Sequence, residues 1–355
     1  MMAGKLDRLR EGLSQAEIDA LLVMRPENRR YISGFRGSSA FIIVGRQGAW
    51  LLTDFRYIEQ AREQCPEFTV IRHGVPWMAS LQELLTDNGI EKLGFEKDYL
   101  TYGQYEGLSQ ALETQLVPVS GLVEKLRRIK DEAEVASMQR AADIAEAAFA
   151  EILPQIRPGR TERDIALDLE IAMRRRGAEG MAFPIIAASG PRSCLPHGAP
   201  TDRVLEQGDF LTLDFGARVD GYCSDMTRTV VLGEPDAKQR EIYDIVLKAQ
   251  LAAQAAVKPG LLGKQLDQIA RDIISAAGYG ENFGHGLGHG VGLMVHEGPG
   301  AGSRSEDVLE PGMVVTVEPG IYLPGWGGVR IEDMVLVTED GHRNFNHSSK
   351  ELIIL

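Results

Sequence analysis

Residues 210–231 read FLTLDFGARVDGYCSDMTRTVV. Phe210, Leu211, Leu213 and Phe215 make the first six residues a buried-looking strand, and residues 224–231 are a second run of β-formers. Asp220-Gly221 between them is a turn signal. Asp214 does not suit the strand it sits in. A charge inside an apolar run is expensive unless it is paired or bound to a metal. A salt-bridged or capping aspartate is the structural alternative. Asp225, at the start of the second strand, would pass alone for a turn residue.

A similar pattern recurs downstream. Residues 313–317 (MVVTV) form another buried-looking strand, and Glu318 ends it just before Pro319-Gly320. Carboxylates at strand ends facing a cleft are where sites are built. Residues 329–337 read as one further strand, interrupted by Arg330, Glu332 and Asp333. Strand alternation places Arg330 and Glu332 on one face. There the arginine either orients a metal-binding carboxylate or makes a simple Arg–Glu pair. LDFG…GYCSDM and VEPG…GGVRIEDM each place one acid before a turn and a second near a methionine. Two related hairpins, each offering two carboxylates, would form a pseudo-symmetric site.

The histidines add to this. Of seven in the chain, four are His197, His285, His289 and His296. The last three fall within GHGLGHGVGLMVH, where alternating glycines permit close backbone approach. The stretch lacks GxGxxG spacing before a helix, and no Walker GK[ST] is present, which excludes dinucleotide and NTP loops. His197 stands in LPHGAP, a proline-flanked loop suited to presenting a proton donor or oxyanion partner. Asp214, Asp225, Glu318, Glu332 and His289 together could bind two divalent ions, which can hold a hydroxide between them for hydrolysis. An oxygen-dominated set with one imidazole favours Mn²⁺, Co²⁺ or Mg²⁺. GxSxG is absent, so no serine nucleophile is signalled.

The bulk numbers narrow the class. At 355 residues two domains are expected. A net charge of −13 argues against nucleic acid and anionic membrane surfaces as partners. Three scattered cysteines suit a reducing, cytoplasmic setting, with Cys223 read as a small buried strand residue. The N-terminal residues read as an amphipathic helix and not a signal peptide, and no apolar run is long enough to span a bilayer. Up to residue 120, helical and strand patterns alternate (helix 6–15, strands 20–24, 40–44, 49–53, 69–72 and 92–95, helices 55–64 and 77–86), which predicts an α/β domain with a mixed sheet. Residues 122–152 read as one long helix, with the domain boundary at its entry, giving domains 1–124 and 125–355. Thr161 caps a second helix, with Asp164 completing a capping box.

The segments SCLPHGAP, LTLDFGARVDGYCSDMTRT, FGHGLGHGVGLMVHEGP, MVVTVEPGIY and GGVRIEDMVLVT, in that order, resemble the pita-bread metallopeptidases, and within them the Xaa-Pro dipeptidase (prolidase) and aminopeptidase P group. YISGFRGSSAFIIV and LLTDFRYIEQA are similar to the creatinase/prolidase N-terminal domain. The resemblance implies an α/β (α+β) chain, with a pita-bread catalytic domain after a smaller α/β N-terminal domain. It implies a dinuclear site with Asp225 and Glu332 bridging, Asp214 on one ion, and His289 and Glu318 on the other. Glu318 would handle the proton of the nucleophilic water. His197 and His296 would contact the substrate carbonyl and tetrahedral intermediate, His285 would line the proline pocket, and Arg330 would support the ligands. The implied cofactor is two Mn²⁺, with Co²⁺ or Zn²⁺ as substitutes. The implied partners are a short proline-containing peptide and a second copy of the chain. The expected activity is Xaa-Pro dipeptidase, with aminopeptidase P as the alternative. A catalytically inactive peptide-binding relative would have lost ligands, and here all five stand. Met294 sits where many relatives carry an acid, which bears on substrate preference.

Overall fold

The computed structural model describes the backbone of residues 2–355 and the side chains from residue 4 onward. The chain divides into two compact units, Met1–Arg127 and Arg128–Leu355. No helix of the described residues is long and apolar enough to cross a membrane.

The first unit is built on a six-stranded mixed sheet, in the spatial order Thr69–Arg72, Ala49–Thr53, Phe41–Gly45, Ala20–Val23, Lys92–Glu96, Gln115–Val119. The three strands Ala20–Val23, Phe41–Gly45 and Ala49–Thr53 are joined antiparallel, and the outer pairs run parallel. Leu22, Ile43, Leu52 and Leu93 pack with Leu81, Leu84 and Leu85 of the helix Trp77–Asp87 and Leu108 of the helix Tyr102–Ala111. Two short helices, Pro26–Ser33 and Tyr102–Ala111, were not expected from periodicity. The first starts on a proline and stops at Gly34, whose φ of 76° only glycine adopts without strain.

The long helix expected over 122–152 is two helices, Leu122–Arg128 and Glu132–Ile152. Helix-forming residues run through the break, but Asp131 leaves helical geometry and caps the second helix, its side chain accepting from Glu134 N while Glu134 returns to the Asp131 N–H. The helix Glu162–Arg175 begins as expected, with Thr161 and Asp164 forming a capping box.

The second unit holds two main sheets, each backed by two helices. A four-stranded sheet runs Ile353–Ile354, Met226–Val231, Phe210–Phe215, Ile186–Ser189. Its Leu211, Leu213, Phe215 and Val230 pack against Phe149, Ile165 and Leu169 of the helices Glu132–Ile152 and Glu162–Arg175. A five-stranded sheet runs Glu297–Ala301, Gly288–Gly290, Val314–Val317, Asp333–Val337, His342–Asn344. Its Val315, Val317, Val335 and Val337 pack against Val246, Leu266 and Ala270 of the helices Ala237–Ala256 and Gly263–Ala276. The echo between the two sequence segments is topological. Phe210–Phe215 pairs antiparallel with Met226–Val231 around a small hairpin (Ala217–Val219, Tyr222–Cys223). Val314–Val317 pairs antiparallel with Asp333–Val337 around another (Gly320–Leu323, Gly327–Arg330).

The single strand expected over 329–337 is therefore two strands of different sheets. Between them Glu332 leaves both and bridges to Thr227, donating its N–H to the Thr227 carbonyl at 3.1 Å. That bridge fastens the two sheets together at the point where their acids meet.

Candidate active site

A cavity of about 510 Å³ in the second unit is lined by all nine residues picked from the sequence: His197, Asp214, Asp225, His285, His289, His296, Glu318, Arg330 and Glu332. Phe183, Pro184, Ile185, Ile186 and Val295 give it an apolar wall.

Each acid sits where a strand begins, ends or turns toward the cavity. Asp214 is in Phe210–Phe215, directly across from Thr227. Asp225 immediately precedes Met226–Val231, Glu318 immediately follows Val314–Val317, and Glu332 immediately precedes Asp333–Val337. Asp225, His289 and Glu332 each offer one ligand atom within 4.8 Å of the others. His289 donates from Nδ1 to the Gly290 carbonyl at 3.1 Å. This leaves Nε2 facing Glu318 Oε1 at 3.3 Å and Asp225 Oδ2 at 3.6 Å. The strand carrying His289 fits because its flanks are glycines. A Cβ on Gly288 would lie 2.0 Å from the Thr316 carbonyl oxygen, and one on Gly290 2.3 Å from that of Gly298.

Arg330 organises one side of the cluster. It donates from Nη2 to Asp214 Oδ2 (2.6 Å), from Nε to Thr227 Oγ1 (3.1 Å) and from Nη1 to Tyr322 OH (3.0 Å) and the Pro196 carbonyl (3.1 Å). Its carboxylate partner is thus Asp214 and not Glu332. Thr227 in turn donates to Glu332 Oε2 at 2.6 Å. His285 donates from Nδ1 to the Gly286 carbonyl (2.8 Å), so its Nε2 accepts from Tyr322 OH at 2.8 Å. Burial holds His285 below the usual imidazole range, consistent with a neutral ring. His296 lies against His289 with ring centres 4.1 Å apart and the rings tilted by 56°, and burial together with His289 depresses it too.

Thr227 and Tyr322 were missed from the sequence. A threonine in the strand Met226–Val231, where Thr227 and Thr229 alternate with Met226 and Arg228, carries no mark of its own, and Tyr322 looks like an ordinary core aromatic.

The electrostatics show what the cluster lacks. Burial pushes Asp225 well above the usual carboxylate range, and Glu332, Asp214 and Glu318 push it further. Burial raises Glu332 likewise, with Glu318 and Asp214 adding to it. Burial also raises Asp214, although Arg330 draws it back. At Glu318 burial is outweighed by the hydrogen bond and charge of His289, which hold it at about 2. Four carboxylates share this space with one guanidinium, and Asp214 Oδ1 is buried with no hydrogen-bond partner among the described residues. Clustered carboxylates cannot all ionise at low dielectric without added positive charge. Divalent cations supply that charge, and an oxygen-rich donor set with one imidazole suits hard or borderline ions.

A cleft with such a cluster on its floor, and room for a short peptide, defines a metal-dependent hydrolase. Residues 136–339 match Metallopeptidase family M24, and residues 5–129 match the Creatinase/Prolidase N-terminal domain. The chain belongs to metallopeptidase family M24, in the pita-bread prolidase group, and is a metallo-exopeptidase. It is 48% identical to the uncharacterized peptidase YqhT of Bacillus subtilis (strain 168), over 99% of this chain and 100% of that one. The solved structure of an Xaa-Pro dipeptidase from Bacillus anthracis is similar with a TM-score of 0.99, at 48% identity and 100% coverage of both chains. That of an X-Pro aminopeptidase from Thermotoga maritima MSB8 is similar with a TM-score of 0.92, at 40% identity and 99% coverage of both.

Proposed function

We propose that the protein is an Xaa-Pro dipeptidase that hydrolyses the bond before proline with two divalent ions, Mn²⁺ foremost and Co²⁺ or Zn²⁺ as substitutes. The observation that carries this reading is the convergence of Asp225, His289 and Glu332 in one cavity with Glu318 and with Asp214, whose Oδ1 has no hydrogen-bond partner among the described residues. Asp214, Asp225, His289, Glu318 and Glu332 would hold the ions. Bound there, such ions lower the pKa of a water toward neutrality and polarise a carbonyl.

The remaining steps fall to the chain's own groups. Arg330 fixes Asp214 through its 2.6 Å contact with Oδ2 and leaves Oδ1, which has no hydrogen-bond partner among the described residues, to serve as a ligand. Glu318 accepts the proton of the attacking water and passes it to the prolyl nitrogen as the C–N bond breaks. His197 and His296 donate to the carbonyl oxygen as negative charge develops on it. His285, held by Tyr322, and the apolar wall of Phe183, Ile185, Ile186 and Val295 take the pyrrolidine ring. The Xaa-Pro amide has no N–H, so a site for it needs shape and not a donor–acceptor pair. In this reading the enzyme is a cytoplasmic homodimer without nucleic-acid or membrane partners.

A second reading, aminopeptidase P acting on longer peptides, is favoured by the likeness to the Thermotoga aminopeptidase over nearly the full chain. Hydrolysis of Ala-Pro, Ala-Pro-Ala and Ala-Ala with Mn²⁺, with a chelator control, decides between them. Cleavage of Ala-Pro alone is expected. Release of Ala from the tripeptide would shift the reading to aminopeptidase P, and preference for Ala-Ala would overturn proline specificity. Light scattering tests the dimer.

A further inference from the structure

We propose that Glu162, at the start of the helix Glu162–Arg175, is the positioning residue for His197. The inference rests on the proposed role of His197 as a donor to the substrate carbonyl.

Glu162 is fully buried. Its Oε1 accepts from Ser189 N and Ser189 Oγ, each at 2.8 Å. Its Oε2 accepts from Thr201 N (3.0 Å), Thr201 Oγ1 (2.7 Å) and the Arg192 guanidinium. Ser189 is the last residue of the strand Ile186–Ser189, and Thr201 follows the loop segment 190–200, within the longer connection that runs to the strand Phe210–Phe215. One carboxylate therefore grips both ends of that loop. Arg192 returns from within the loop to the Ala199 carbonyl at 2.9 Å. The loop brings Pro196, His197, Ala199 and Pro200 to the cavity. Its far side is held by Arg330 on the Pro196 carbonyl (3.1 Å) and by Gly328 N on Ser193 Oγ (2.8 Å). His197 itself is exposed, so its placement comes from the loop and not from packing around the ring.

The chemistry requires a carboxylate. Five donors converge on Glu162, and only an ionised carboxylate is acceptor on both oxygens. An amide would turn an N–H₂ toward Ser189 or Thr201 donors and leave Arg192 without its counter-charge. The five metal-ligand candidates stand on other segments, so loosening the clamp should misplace His197 without changing metal binding. A displacement of about 1 Å in a positioned group can cost 10²-fold in rate.

The test is a double-mutant comparison on the Mn²⁺ enzyme with Ala-Pro, reading kcat, KM and metal content. Glu162→Gln is expected to lower kcat about tenfold or more with metal content unchanged. In a His197→Ala background the same change should lower kcat no further, because the two residues act as one unit. Should Glu162→Gln not fold, Thr201→Val removes one of the five donors and should show the same non-additive loss in smaller measure. If His197→Ala is impaired but Glu162→Gln keeps wild-type kcat, or lowers kcat equally in both backgrounds, the clamp does not act through His197 and the inference fails. If His197→Ala keeps wild-type kcat, His197 leaves the catalytic set and the inference falls with that reading.

Discussion

Asp333→Asn should be among the most destabilising single substitutions in the second unit, although Asp333 does not line the cavity. Asp333 is fully buried. Its Oδ1 accepts from Arg228 Nη2 at 2.7 Å, and its Oδ2 from Lys350 Nζ at 2.6 Å and Asn344 Nδ2 at 2.8 Å. Arg228, itself buried, also donates to the carbonyls of Glu332 (2.6 Å), Thr227 (2.9 Å), Ser349 (3.1 Å) and Ser348 (3.1 Å). The substitution would leave two cations short of their counter-charge on the segment that ties the C-terminal residues to Glu332. Removing one member of a buried pair costs about 3–5 kcal/mol. At about 2–4 °C per kcal/mol for a unit of this size, Tm should fall by about 6–20 °C. Arg163–Asp202 serves as the control, because its side chains are 63% and 82% exposed. Such surface pairs are worth about 0–1 kcal/mol, so Arg163→Ala should move Tm by less than about 4 °C. Scanning calorimetry at matched metal loading measures both. A shift for Asp333→Asn no larger than that of Arg163→Ala would refute the argument from burial.

Asp225→Asn should release metal and cost more than the about 10–100-fold that loss of a mere supporting partner costs; elemental analysis showing unchanged metal would remove Asp225 from the ligand set. Tyr322→Phe deletes the hydroxyl that joins Arg330 to His285, which should cost about 1–3 kcal/mol of stability and lower kcat with metal retained; unchanged Tm and kcat would show that the relay is idle. Glu162 is held below the usual carboxylate range: burial opposes this, but the hydrogen bonds from Thr201 and Ser189 outweigh it. A depressed folded-state pKa gives stability that is present above the unfolded value of about 4.3 and lost as pH falls through the folded one. The Tm gap between wild type and Glu162→Gln should therefore be constant near neutrality and narrow below about pH 4; a gap that widens on acidification would reverse the sign of the argument.

Features carried by near neighbours could be read directly from the chain. The Thr161–Asp164 capping box and the strand Phe210–Phe215 depend on residues a few positions apart, and both stand as expected. The acids Asp214 and Glu318 were conspicuous because charge does not belong in or beside apolar strands without a partner. The alternating glycines around His289 signalled backbone contact, which Thr316 and Gly298 provide. Helix propensity alone could not reveal the break before Asp131, since Arg127, Arg128, Lys130, Glu132 and Ala133 are all good helix formers and the cap geometry ends the run.

Other features belong to the tertiary structure. Residues 329–337 look like one strand because each half is apolar, and the bridge from Glu332 to Thr227, far back in the chain, is what divides them. The same distance hid the choice of Asp214 over Glu332 as the partner of Arg330. Glu162 and Tyr322 look like a helix-start acid and a core aromatic; Ser189, Thr201, His285 and Arg330 give them their roles. The residue types at this site were written in the sequence, because buried charge must be answered by some other charge. Which group answers which was decided only when two sheets, each backed by its own helices, brought their acids together at one bridge.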